Sequence, residues 1–221
     1  MGFFDQVQRQ TQPIWDSVLK HPFIRGIADG TLPDDTFRYY LGQDYKYLVE
    51  YGRARAAAVV KAADLETMQV FAESVNYILA GETLFHRRAA ERLGRKLTDF
   101  LEGEKAPTNQ AYTSYLLGVA CTGTFGELVA ACLPCLWGYS YVGRALLAGG
   151  LPDHPLYADW IRTYGDDELR HRSDRMCALL DRLADGADEG QRAKLAEHYL
   201  SCCRYEWMFF DMAWRRETWP I

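Results

Sequence analysis

Leu32-Pro33-Asp34-Asp35-Thr36-Phe37-Arg38-Tyr39-Tyr40-Leu41-Gly42-Gln43-Asp44-Tyr45-Lys46-Tyr47-Leu48 is the stretch on which the reading of this chain turns. It opens with a proline near a first helical turn and two acids at the positive end of the coming helix dipole, a strong start signal. Tyr40, Leu41, Tyr47, Leu48 and Tyr51 follow at helical spacing from Asp44 and share its face. A helix with this pattern buries an aromatic side and carries one carboxylate inward with it. The spacing predicts a helix that continues to about Ala63.

The same period runs outward in both directions. Helices are predicted over Phe3 to about Leu19, closed by Lys20-His21-Pro22, and from Leu65 to about Leu93. After a charged loop with Gly103 and Pro107, Thr108 or Asn109 is expected to cap a helix ending near Thr122, and Phe125 to Leu147 forms the next. Gly149-Gly150-Leu151-Pro152-Asp153-His154-Pro155 breaks the pattern, and helices over about 156–164, 166–183 and 188–216 follow. No stretch alternates with period two between turn signals, so no sheet is expected. No linker, repeat or low-complexity tract divides residues 1–221, and the expectation is one all-α domain of about eight helices.

Composition narrows the function. With 48% hydrophobic and 14% aromatic residues the chain can bury a large core. A net charge of -5, with basic runs no longer than the pairs Arg87-Arg88 and Arg215-Arg216, argues against a nucleic-acid partner. Those pairs read as solvated helix faces. Met1-Gly2-Phe3-Phe4-Asp5 lacks the basic and apolar regions of a signal peptide. The longest apolar run, Leu128 to Trp137, falls well short of the roughly 20 residues that span a bilayer. A cytoplasmic protein with no membrane partner is expected. Six scattered cysteines make no disulfide framework and read as small buried hydrophobes.

Three reactive groups sit in apolar stripes. Glu206 shares its helix face with Cys202, Cys203, Phe209 and Phe210. Burial there should raise its pKa, giving either a general acid or a structural carboxyl paired elsewhere in the core. Asp44 among tyrosines suits a flat, nitrogen-rich ring, its carboxylate accepting ring or amino N–H groups while the aromatics stack; hydrogen bonding to a core tyrosine is the plainer alternative. Cys135 shares a face with Ala131, Cys132, Gly138, Tyr139 and Val142, so small residues leave space by the sulfur, and Pro134 should disturb the helix ladder. The cysteine is thus a packing residue or a nucleophile whose activator comes from another helix.

Two further patterns compete. Cys132-Leu133-Pro134-Cys135 is a C-x-x-C, but no second pair completes a zinc site and no βαβ pattern supports a thioredoxin-like role. Glu168-x-x-His171, Asp167-x-x-x-His171 and Glu82-x-x-x-His86 place acid and imidazole on common faces, as helical di-metal oxidases do. Only one Glu-x-x-His occurs, within the charged run Asp166 to Arg175, which favours an exposed face with intrahelical pairs. No metal is expected.

In order and spacing, the chain resembles the thiaminase II (TenA) family of the haem-oxygenase-like helical fold. The likeness runs through Trp15, His21-Pro22-Phe23, Leu32-Pro33, Tyr39-Tyr40-Leu41-Gly42-Gln43-Asp44-Tyr45, Pro134-Cys135-Leu136-Trp137-Gly138-Tyr139, Tyr157 to Tyr164, and Glu206-Trp207-Met208-Phe209-Phe210-Asp211-Met212-Ala213. The match is to the family's cysteine-bearing branch. The resemblance implies hydrolysis of thiamin or 4-amino-5-aminomethyl-2-methylpyrimidine to 4-amino-5-hydroxymethyl-2-methylpyrimidine. It implies Cys135 as nucleophile, Glu206 as proton donor to the ring, Asp44 as ligand of the amino and ring nitrogens, and Tyr47 and Tyr139 as walls of the ring site. Tyr112 and Tyr164 would orient thiol and water. It further implies no cofactor and a homotetramer. The alternatives are a di-metal oxidase on the same fold, using Glu82, His86, Asp167 or Glu168, and His171, and a non-catalytic pyrimidine-binding or regulatory protein.

Overall fold

Residues 2–221 are described by a computed structural model, the side chains of Gly81, Glu82 and Thr83 excepted. Every regular element among the described residues is helical, as expected. Helix α1 (Phe3–Lys20) buries Phe3, Val7, Thr11, Trp15 and Val18, one residue per turn. His21 ends it and at once begins α2 (Pro22–Ala28), its ring Nδ1 accepting the Phe23 N–H at 3.2 Å, with Pro22 at the first helical position. The sequence reading used this proline as a stop; it is also a start.

Helix α3 (Asp34–Lys61) begins at the quoted Pro-Asp-Asp and ends two residues before the expected Ala63. The predicted helix 65–93 becomes α4 (Leu65–Asn76), a π-helical turn over Tyr77–Glu82, and α5 (Thr83–Arg92). This division and α2 account for the two segments beyond the eight expected. A 3₁₀ turn (Leu97–Leu101) leads to α6 (Pro107–Thr122). Neither Thr108 nor Asn109 caps α6 with its side chain. Pro107 is already helical, the Asn109 amide donates to the Gln43 carbonyl at 2.8 Å, and the Thr108 N–H donates to Glu217 Oε2 at 2.9 Å. The carboxylate that satisfies this orphan N–H comes from beyond the last helix.

Helix α7 (Phe125–Gly149) starts with a Thr124/Glu127 capping box and is buried on every side from Leu128 to Cys135. It is the axis of the molecule, packed by α3, α6, α8 (Pro155–Tyr164), α9 (Asp167–Asp185) and α10 (Glu189–Arg215). The helix continues through Pro134 without a break. Two glycines permit its close neighbours. A Cβ on Gly143 would lie 2.3 Å from the Tyr164 carbonyl carbon, and one on Gly138 would lie 2.0 Å from the Trp15 ring. The space that Gly138 was expected to help leave by the Cys135 sulfur is, on the glycine's own side, filled by Trp15. No helix among the described residues is long and apolar enough to cross a membrane.

Candidate active site

Five helices each present side chains to one buried region beside α7. Asp44 and Tyr47 come from α3, Tyr112 from α6, Cys135 and Tyr139 from α7, Tyr164 from α8 and Glu206 from α10; all seven are buried. The structure brings all the sequence-predicted site residues to the same part of the core.

Glu206 is its electrostatic centre. The Tyr112 hydroxyl donates to Glu206 Oε1 at 2.6 Å. Burial pushes the Glu206 carboxyl up to about 8; the Tyr112 hydrogen bond pulls it back, and the nearby Asp44 carboxylate pushes it further up. Helix neighbours alone suggested the direction, but the partner across the core and the second carboxylate emerge only from the fold. Asp44 has a different companion. His86 Nε2 lies 2.9 Å from Asp44 Oδ2, at ion-pair distance though not aligned as a hydrogen bond, and the His86 side chain is buried. One carboxylate thus faces an imidazole and the other a neutral phenol, and burial favours a proton on Glu206.

The walls are aromatic. Tyr47 stacks at 5.6 Å on Tyr51 and lies 5.1 Å from the Tyr112 ring. Tyr139 sits 4.7 Å from Tyr164, and its hydroxyl accepts from Tyr40, which in turn accepts from Trp160 Nε1 at 3.1 Å. Burial raises the phenols of Tyr47, Tyr112 and Tyr139 well above their ordinary range, so all three remain neutral donors. Cys135 and Tyr139 form the inner wall of a cleft between α3, α4 with its π turn, α7 and α9, whose empty space is about 560 Å³ including its open mouth. Cys132, one helical turn away, is a poor nucleophile because burial pushes its thiol up to about 11 despite the neighbouring Arg55. The described cysteines form no disulfide.

The residues of the metal alternative do not converge in this way. Glu168 pairs with Arg172 at 2.6 Å on an exposed part of α9, where His171 is exposed and contacts Arg170. Among the described residues no three His, Cys, Asp or Glu side chains form a group able to hold a metal ion, and the Glu82 side chain lies outside those residues. His86 was read only as a partner of Glu82. Its signal in the sequence was the apolar company of Phe85, Ala89 and Ala90, which are all buried with it. Arg88, expected to be a solvated residue, binds Asp159 at 3.1 Å and ties α5 to α8.

Residues 8–216 match the model of the TENA/THI-4/PQQC family. The chain belongs to this family. Its TENA/THI-4/PQQC relatives include the aminopyrimidine aminohydrolase of Halalkalibacterium halodurans, 39% identical over 99% of this chain and 98% of that protein. The aminopyrimidine aminohydrolase of Bacillus subtilis is 36% identical over 99% and 92%. The TenA homologue of P. horikoshii superposes with a TM-score of 0.88 at 26% identity, covering 97% of this chain and 99% of that one. The fold alone is shared with a Shewanella denitrificans domain described as heme oxygenase-like, at a TM-score of 0.73, 16% identity and coverage of 96% and 92%. Membership accounts for the helical fold that the chain shares with these relatives.

Proposed function

We propose that this chain is an aminopyrimidine hydrolase of thiamin breakdown and salvage, converting thiamin or 4-amino-5-aminomethyl-2-methylpyrimidine to 4-amino-5-hydroxymethyl-2-methylpyrimidine. The observation that carries this reading is the buried Glu206 carboxyl, raised to about 8 and held by Tyr112 beside an Asp44 that has its own partner. A hydrolase acting on a basic ring needs such a proton near neutral pH. The full-length likeness to two proteins named aminopyrimidine aminohydrolase supports it.

In this reading Asp44 accepts the exocyclic amino and ring N–H groups, while Tyr47 and Tyr139 hold the ring flat. The Cys135 sulfur, as thiolate, bonds to ring carbon C6, and the displaced π electrons take the Glu206 proton onto a ring nitrogen. That nitrogen's electrons then expel the leaving group from the exocyclic methylene, as ammonia from the aminomethyl compound or as the neutral thiazole from thiamin. Water, oriented with Tyr164, adds to the methylene and loses its second proton to the released ammonia or, with thiamin, to solvent; the C–S bond breaks and the ring proton returns to Glu206. One water is consumed, one leaving group is released and nothing is oxidised. The chemistry requires no cofactor. The chain would act as a single-domain cytoplasmic enzyme of the cysteine-bearing branch, assembled as a homotetramer, with a small molecule rather than nucleic acid or membrane as partner.

Cys135→Ser tests the covalent step. Steady-state assays with both substrates should show nearly complete loss of turnover with retained helicity, since a hydroxyl lacks the thiolate's nucleophilicity without a dedicated base. Cys132→Ser should keep most activity. A Cys135→Ser enzyme near wild-type rate would remove the covalent mechanism, and ligand binding without any turnover in the wild type would favour a pyrimidine-binding or regulatory protein.

A further inference from the structure

The cleft that ends at Cys135 has a second chemical character at its outer end. Arg55, on α3, is 2% exposed, yet among the described residues it makes no ion pair. Its neighbours are neutral: Ser74 Oγ at 2.8 Å from Nη2, the Met176 sulfur at 3.6 Å, and the Phe71 ring 4.5 Å below the guanidinium. The Cys132 thiol is a further neutral neighbour of the guanidinium, and Nη1 is buried without a hydrogen bond to any nitrogen or oxygen. A buried cation in neutral surroundings is costly and marks a place where an anion gains much. Arg172 and Arg175, one turn apart on α9, line the same cleft. Arg172 is half-buried beside Tyr77, with Nε and Nη2 donating to the exposed Glu168 at 3.2 and 2.6 Å, a surface pair that an incoming anion would share; Arg175 is exposed with no hydrogen bond or ion pair among the described residues. No Asp or Glu occurs among the described residues that line the cleft.

Distance gives these arginines a place in the reaction. Asp44 and Arg55 lie on the same helix, eleven residues or about 16 Å apart, with Tyr51 between them. A molecule whose pyrimidine is held at Asp44 and whose methylene lies by Cys135 must extend its leaving half into this cleft. We propose that Arg55, Arg172 and Arg175 form an anion subsite that takes a phosphate monoester on the leaving half of the substrate. Three guanidinium groups, one of them shared with the exposed Glu168, match a phosphate dianion better than a single carboxylate, and their planar donors suit its oxygens. This inference rests on the hydrolase reading above.

The test compares thiamin with thiamin monophosphate, which share a pyrimidine and differ only in the phosphate. Wild-type kcat/KM should favour the monophosphate at least tenfold, and Arg172→Ala combined with Arg175→Ala should bring the ratio close to one. These variants change partly open surface positions, so the test does not depend on a protein that has lost the buried Arg55. Calorimetric titration with inorganic phosphate should show binding to the wild type and several-fold weaker binding to the double variant. Equal kcat/KM for the two substrates, or a preference that survives in the double variant, overturns the subsite. Phosphate binding without substrate preference would make the arginines a site for free phosphate and equally overturn the assignment. The aminomethylpyrimidine, with no leaving heterocycle, separates the levels: its turnover alongside phosphate indifference removes only the subsite, while no turnover of any of the three removes the hydrolase reading with it.

Discussion

At the scale of single residues the site rests on two carboxyls in one buried region with opposite assignments. Glu206→Gln keeps the shape and the Tyr112 hydrogen bond but cannot deliver a proton. Turnover should fall by roughly two to four orders of magnitude, the cost of losing a general acid, with little change in substrate affinity. The wild-type rate should decline as pH rises through about 8, where Glu206 ionises, and that limb should be absent or shifted in the variant. A pH–rate profile with an unchanged limb would assign the proton to another group. Asp44→Ala removes the acceptor rather than the acid. Affinity for the hydroxymethylpyrimidine product should weaken about ten- to a hundredfold, the worth of a charge-assisted hydrogen bond of about 1.5–3 kcal/mol. Unchanged affinity by calorimetry in a folded variant would remove Asp44 from the ring site.

At the scale of elements, Gly143 is the contact that lets α8 lie against α7. A methyl there would meet the Tyr164 backbone at 2.3 Å, and backbone cannot swing aside as a side-chain tip can. Gly143→Ala should destabilise by about 1–3 kcal/mol, the usual cost of overpacking, readable as a lower denaturant midpoint. A midpoint at or above wild type would show that α8 moves without penalty. This scale also separates what was legible in the sequence from what was not. Helix starts that depend on local chemistry, such as Pro33-Asp34-Asp35 before α3, were readable because cap and helix are adjacent in the chain. The cap of α6 was misread because its acceptor, Glu217, is 109 residues away. The candidate site was legible wherever a polar group stood in an apolar stripe, as Asp44, Cys135 and Glu206 do. His86 escaped because its partner, Asp44, lies 42 residues away on α3, and the sequence paired it only with the nearby Glu82.

At the scale of the whole molecule the buried site has a stability cost that pH reveals. A carboxyl whose pKa is raised by folding binds its proton more tightly in the folded state than in the unfolded chain. Folding is therefore weakened progressively as pH rises from the ordinary glutamate value to about 8, by at most about 1.4 kcal/mol per pH unit, and is unaffected by this group below that window. Denaturant unfolding of wild type and Glu206→Gln at pH 5 and pH 8 should show the variant gaining relative stability at the higher pH. An identical difference at both values would mean that Glu206 ionises alike in folded and unfolded chains. The remote cap on α6 carries a different liability, one of wear. Glu217 and Trp219 reach back from the end of α10 to the Thr108 N–H and the Lys105 carbonyl, while Ile221 is fully open to solvent. A protease cutting the exposed stretch at Arg216 would sever this clasp, loosening the helix that aims Tyr112 at Glu206 while the rest of the bundle stood. Such a preparation would age: its catalytic output would decay with storage, although its mass and helix content had scarcely altered.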